Sequence, residues 1–436
     1  MATGTATTQD ASRSRPGIDA VALAAPVLTL LVVAVIRKGA FFRPDIVVSP
    51  ALTLALAFSV PQVRDWARDH LAALAAGLIG TAWWIGDAEL SHHSIDSWRL
   101  PAAWLCLASG YGCARSLPAA ARRAALLGTA VMGDALAIAG LVLVGVRSTF
   151  WTLQDQRSLR FAGPFTYPSA VGLFLVISLI AGTQVPTSTT NSRLRRVVNC
   201  VRAVTVLGVV ATDSRGAVVG LGVALCFRCV RRELGTAVIA AVIGAPVLLL
   251  GQRTHASHLL VVAAVILAAG LALIPDGVVH RVMRAAALPA VCVVGWLLVT
   301  QHHAVSGFDA SWTERGHILR GAKTVFAKHP LFGAGPDPSF GAHTLTGQAG
   351  IAYFTHNEPV EILISIGVVG TVVLVLCAVV VARALVAGRG SLAVPVLVSV
   401  GAAGLVDFVW HFPALGLASG IVAGASGLRR ATNVAP

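Results

Sequence analysis

This chain is short of charge. Only 12% of its 436 residues are charged, about half the ~25% that keeps an ordinary soluble domain wetted. Length alone would accommodate two or three soluble domains, but the scarcity of charge excludes them. Lysine is nearly absent, occurring only at Lys38, Lys323 and Lys328, so the net charge of +14 is carried by arginine. No nucleic-acid-binding pattern accompanies that excess. In a membrane protein it points to anionic lipid or a phosphate-bearing substrate. The seven cysteines lie in or beside apolar blocks, where thiols act as small hydrophobes. Cys226 and Cys229 form an isolated C-x-x-C with no second pair, which argues against a zinc ribbon or a redox centre.

What the chain has in abundance is apolar residues: 56%, with a mean hydropathy of +0.79. They fall in blocks of roughly 15 to 25, the length of helix that crosses a ~30 Å hydrocarbon layer. Fourteen blocks are visible, at 18–36, 45–60, 70–86, 100–114, 124–145, 166–183, 197–211, 215–230, 235–251, 258–274, 285–300, 359–382, 391–408 and 412–427. Several are short enough to merge or re-enter, so the expectation is an all-α polytopic membrane protein with about 12 to 14 transmembrane helices. The first block is followed by Arg37-Lys38 and no small-residue cleavage site, and reads as a retained helix. With the amino terminus inside, most of the 33 basic residues fall on the inner side. The exceptions include Arg37, Lys38 and Arg43, and several basic residues of the two longest outer loops. The expected organisation is a cytoplasmic tail over 1–17 and transmembrane helices over 18–300 with an outer loop at 146–165. A large extracytoplasmic loop follows at 301–358, then helices and a cytoplasmic tail over 359–436.

The 301–358 loop is far longer than a normal connection and too apolar for disorder. Within it, Ser311–His329 reads as an amphipathic helix with Trp312, Leu319, Ala322 and Phe326 on one face. Arg315 falls on that face, where a cation needs an anion opposite, either an internal carboxylate or a substrate phosphate. Arg320 projects to the other side, toward solvent or substrate. Pro330–Gly341 follows, with Gly333 and Gly335 in a sharp turn. His356 and Asn357 stand where the outer aqueous phase meets the next span, and histidine can accept a proton near neutral pH. His329, His343, His356 and Asp337 lack paired ligand spacing, so a metal site is not expected.

Elsewhere, Thr212-Asp213-Ser214-Arg215-Gly216 opens an outer helix start. Asp213 or Ser214 can cap it, and Arg215 adds positive charge to the positive end of the dipole. That makes an anion trap, unless Asp213 simply pairs with Arg215. Asp134, deep in its span, is either functional or hydrogen-bonded to a neighbouring helix. Asp407 and His411, four apart, are expected on one helical face, supporting each other.

Taken in order, these pieces resemble the O-antigen ligase and O-antigen polymerase superfamily of bacterial membrane glycosyltransferases, over roughly residues 160–425. The family pattern matches Arg315, Pro330-Leu331-Phe332-Gly333-Ala334-Gly335, His356-Asn357, Gly367 and Gly370. The family's outer Ser-Arg-Gly matches Ser214-Arg215-Gly216. Two positions depart from the pattern: Ser365 stands where glutamate is common, and Glu361 where glutamine is usual. The resemblance implies transfer of a polyprenyl-diphosphate-linked glycan to an acceptor hydroxyl on the outer side of the cell membrane, without cofactor, metal or nucleotide sugar. His356 would be the general base, and Arg215 and Arg315 would clamp the diphosphate. Arg320, Asn357, Gly333 and Gly335 would contact substrate. The acceptor would be a glycan, lipid or protein in contact with membrane lipids. Polymerisation of repeat units is the neighbouring alternative, and a transporter or flippase for an anionic lipid-linked glycan is the rival class.

Overall fold

The computed structural model describes residues 18–59, 71–90, 98–154, 158–184, 192–253, 257–274, 306–336, 338–343, 349–352, 354–386 and 392–426. The expected tail at 1–17 and span at 285–300 lie outside the described residues. The chain is an all-α polytopic membrane protein, as its composition requires. In order, the helices are α1 (Ile18–Ile36), α2 (Arg43–Ser59), α3 (Leu71–Leu90), α4 (Arg99–Ser116) and α5 (Ala119–Gly145). There follow α6 (Pro168–Gly182), α7 (Ser192–Ala211), α8 (Arg215–Cys226), α9 (Arg228–Arg253) and α10 (Ser257–Leu273). The last four are α11 (Ser306–Lys328), α12 (Glu358–Val386), α13 (Ala393–Gly404) and α14 (Pro413–Ala425). Four of the described helices, α1, α5, α9 and α12, are long and apolar enough to cross a membrane.

The shorter helices form the inside of the bundle. Every residue of α6, from Pro168 to Gly182, is buried, which is why its sequence is apolar on all sides. Between α4 and α14 the backbones nearly touch. A Cβ at Gly416, Gly420 or Gly424 would lie 2.0, 2.2 or 2.4 Å from the carbonyl oxygens of Ala103, Leu107 and Tyr111 respectively. Lipid tails are as apolar as leucine, so membrane helices associate through close packing, and small residues every fourth position permit it. Three glycines at that spacing are visible in the sequence, although the hydropathy reading passed over them. Asp134 in α5 accepts a hydrogen bond from the Thr205 hydroxyl of α7 at 2.6 Å, the structural option of the two considered for it. Such a bond contributes ~1 kcal/mol.

Side-chain clasps sort the helix ends into two groups. At one end, buried Arg202 of α7 donates to Gly182 O at 2.7 Å and Glu233 O at 3.0 Å, placing a cation on the carboxyl end of α6. At the other end, Arg160 donates to Thr212 O at 3.2 Å and Asp213 O at 2.9 Å. Gln252 donates to Leu159 O at 2.8 Å and Ala211 O at 2.7 Å, and Arg99 donates to Phe41 O at 3.1 Å. The second group is made of the connections that alternation assigned to a common side.

Both long loops carry hairpins that hydropathy gave no sign of. Strands β1 (Thr152–Gln154) and β2 (Leu159–Phe161) pair antiparallel between α5 and α6. Strands β3 (Phe340–His343) and β4 (Ala349–Ala352) pair between α11 and α12. Helix α11 begins five residues earlier than expected. Its buried stripe runs through Ile318 and Ala322 onto Ile364, with Val325 and Phe326 alongside. Leu319, expected on that stripe, is exposed. A further correction concerns Asp407 and His411. Helix α13 stops at Gly404 and α14 starts at Pro413, so both residues lie in a non-helical connection, and each has its own partner on another segment.

Candidate active site

The connection 405–412 meets residues 354–361 at the end of the bundle where the clasped loops gather. There the His356 ring, half-buried at 31% exposure, places Nδ1 3.2 Å from Oδ1 of buried Asp407. Tyr167 and Ser169, at the start of α6, also donate to the Asp407 carboxylate, as does the Phe408 amide at 2.9 Å. Burial alone would raise the Asp407 carboxyl. The hydrogen bond and charge of His356, with the Ser169 and Tyr167 hydroxyls, outweigh it and hold the group below the usual carboxylate range. An ionised carboxylate only accepts, so Nδ1 carries a proton, and a ring without a second proton has its lone pair on Nε2.

Local backbone chemistry sets the ring's position. His356 has φ +53°, a left-handed conformation that costs a non-glycine residue ~1–2 kcal/mol. Its neighbours on both sides hold it there. Thr355 N donates to Glu361 Oε2 at 2.8 Å. Asn357 caps α12 by accepting from Val360 N at 3.0 Å and donates through Nδ2 to Leu405 O at 2.7 Å. Strain kept by surrounding bonds is a signature of functional positions. Beneath the ring, Phe408 lies 5.2 Å away, and Phe354 stacks on Phe408 at 4.4 Å. Phe412 links Tyr167, at 5.8 Å, to Phe41 of the α1–α2 connection, at 4.7 Å.

Arg215 arrives at the same place from another helix. Ser214 is the N-cap of α8, its hydroxyl accepting from Ala217 N at 3.1 Å, so half-buried Arg215 is the first residue of that helix. A Cβ on the next residue, Gly216, would lie 3.4 Å from the Asp407 Cβ and 3.4 Å from Ala403 O. The Ser-Arg-Gly stretch thus abuts Asp407, the residue whose carboxylate His356 touches. Arg315 sits in α11, three residues before Ile318. Its side chain lies outside the described residues. Arg320 is exposed, with Nη2 3.1 Å from the His317 ring.

Gly333 and Gly335 build a turn that pairs with a break in α12. Both have positive φ, +80° and +90°, as does Gly367, +64°. Ala334 N donates to Ile364 O and Gly335 N to Ser365 O, both at 2.9 Å. In return, Val368 N donates to Pro330 O at 3.0 Å and Val369 N to Leu331 O at 3.1 Å. The turn glycine and the helix-break glycine face one another. A Cβ at Gly333 would stand 2.1 Å from Ser365 O, and one at Gly367 2.3 Å from Leu331 O. Gly333→Ala is therefore expected to destabilise the protein by several kcal/mol (~3 or more) through strain and overlap. Thermal unfolding in detergent would register this as a large drop in Tm.

Residues 201–375 match a family model described as O-antigen ligase. No curated protein sequence matches the chain. The matched stretch runs from within α7 into α12 and takes in Arg215, Arg315, the 330–335 turn and His356. The partners of His356 lie beyond it on both sides, Tyr167 and Ser169 before and Asp407 after. Hydropathy could not bring those three together, because they belong to segments about 240 positions apart. The signals available in sequence were an acid in an apolar block, at Asp407, and a Tyr-Pro-Ser run at the start of an apolar helix, at 167–169.

Proposed function

We propose that the protein is a membrane glycosyltransferase of the O-antigen ligase type, passing the membrane many times and working on its outer side. Its donor is a polyprenyl-diphosphate-linked glycan and its acceptor a hydroxyl on a glycan, lipid or protein. The observation that carries this reading is the Asp407–His356 contact at the rim of the bundle, beside the helix start that bears Arg215. Asp407 holds the imidazole in the tautomer whose Nε2 accepts a proton. As the acceptor oxygen attacks the anomeric carbon, its proton passes to Nε2. The bond from that carbon to the diphosphate oxygen breaks, and the electron pair leaves with the diphosphate. Attack opposite the leaving group inverts the anomeric centre. Arg215 and Arg315 stabilise the charge that develops on the diphosphate. The Gly333–Gly335 turn and Asn357 hold α11 and the His356 segment against α12, with Arg320 at the edge of the substrate path.

The test is reconstitution of the purified protein in liposomes with a polyprenyl-diphosphate oligosaccharide and a panel of acceptors. Release of polyprenyl diphosphate is expected, matched by glycan on the acceptor and unaffected by chelator. Donor crossing the bilayer with its diphosphate linkage intact, and no release with any acceptor, would replace this reading with that of a flippase. Products of increasing repeat number from a single donor would mark a polymerase.

A further inference from the structure

Two acid–histidine pairs join the segments 354–361 and 405–412, with the residue types exchanged. His356 on the first reaches Asp407 on the second, and Glu358 on the first reaches His411 on the second. His411 Nδ1 lies 3.3 Å from Glu358 Oε1 and 3.2 Å from Oε2, and Trp410 N donates to Glu358 Oε1 at 2.6 Å. The two pairs differ in burial. The His356 ring is 31% exposed, whereas the Glu358 and His411 side chains are 0% and 2% exposed. A pair withdrawn from solvent to that degree has no room for a substrate. A carboxylate there is tolerated only because specific donors face it. Glu358 lies two residues from the proposed base, and His411 four residues from the carboxylate that orients it. The second clasp thus sets the spacing at which the first can form.

We propose that Glu358 and His411 are positioning residues for glycan transfer, a buried clasp that sets the register between the two segments so that Asp407 meets His356. This rests on the reading of His356 as the base. Their action runs through the first pair, which separates it from general stabilisation. The Glu358 side chain accepts from the Trp410 amide and the His411 ring, and glutamine can replace it as an acceptor to both.

A double-mutant cycle on kcat, with the reconstituted full-length protein, tests it. Glu358→Ala is expected to lower kcat about 10-fold or more while the donor KM stays within about twofold, and Glu358→Gln to recover most of the loss. In an Asp407→Asn background, Glu358→Ala should cost no more than about a further twofold, because the contact it serves is already gone. Multiplicative losses in the double variant, or a Glu358→Gln variant as impaired as Glu358→Ala, would overturn the proposal. If Glu358→Ala yields no folded protein, His411→Gln enters the same cycle from the other side, with the same expected epistasis. Failure of the two readings is distinguishable. Multiplicative losses with His356 still essential remove only the clasp, whereas turnover that survives His356→Ala removes the base and the clasp together.

Discussion

His356→Ala is expected to lower the rate of glycan transfer by about 10²–10⁴-fold, the usual contribution of a positioned general base. The loss should fall on kcat, with little change in donor KM, because the imidazole is used as the acceptor proton moves rather than when the donor docks. Single-turnover release of polyprenyl diphosphate is the measurement that isolates it. The variant should remain folded. The ring is half-buried and its bond to Asp407 is one of several that carboxylate accepts, the others coming from Tyr167, Ser169 and the Phe408 amide. Alanine at 356 still has to adopt φ +53°, so His356→Asn, which tolerates that region better, is the cleaner companion. Both variants should lose transfer and keep their unfolding temperature near that of the parent. Unchanged release from a folded His356→Ala protein would remove the base from the mechanism.

Arg215→Ala is expected to slow transfer by ~30- to 1000-fold, corresponding to ~2–4 kcal/mol of lost transition-state stabilisation. A guanidinium at the first position of α8 adds to the partial positive charge of the helix start, so the site favours an anion more than either feature alone would. Substituting lysine should recover only part of the rate, since an ammonium supplies charge without the planar pair of donors that grips a phosphate. The same size of effect is expected for Arg315→Ala if the two arginines share one diphosphate. The combined variant should then lose much less than the product of the single losses, as groups acting on one leaving group do. Kinetics over a series of donor concentrations, with size-exclusion profiles to verify folding, would check both. Equal rates for Arg215→Ala and the parent would sink the clamp.

Several elements were legible before any coordinates. Helices α1, α5, α9 and α12 announce themselves because an apolar run long enough to cross hydrocarbon has few other uses. The cap at Ser214 and the turn at Gly333 and Gly335 were legible too, for a local reason: capping and positive φ depend on residues within a few positions of each other. Other features were not. The buried stripe of α11 was placed through Leu319 rather than Ile318, since an amphipathic helix of mixed composition admits two neighbouring faces. Asp407 and His411 were put on one helix because nothing in their own neighbourhood shows that α13 ends at Gly404. The helix ends there, the chain turns, and each residue meets its own partner on the 354–361 segment.

What the sequence by itself determined was local: an apolar all-α chain and the residue types able to hold phosphate or accept a proton. Which of them meet was decided only by the tertiary structure. Tyr167, Ser169, Glu358, Asp407 and His411 become a network because α6, α12 and the α13–α14 connection converge at one end of the bundle. Contacts between distant segments depend on how whole helices pack, and the glycine spacing that brings α4 and α14 together acts over many residues at once. Hydropathy, which reads each residue with its near neighbours, carries no record of that convergence.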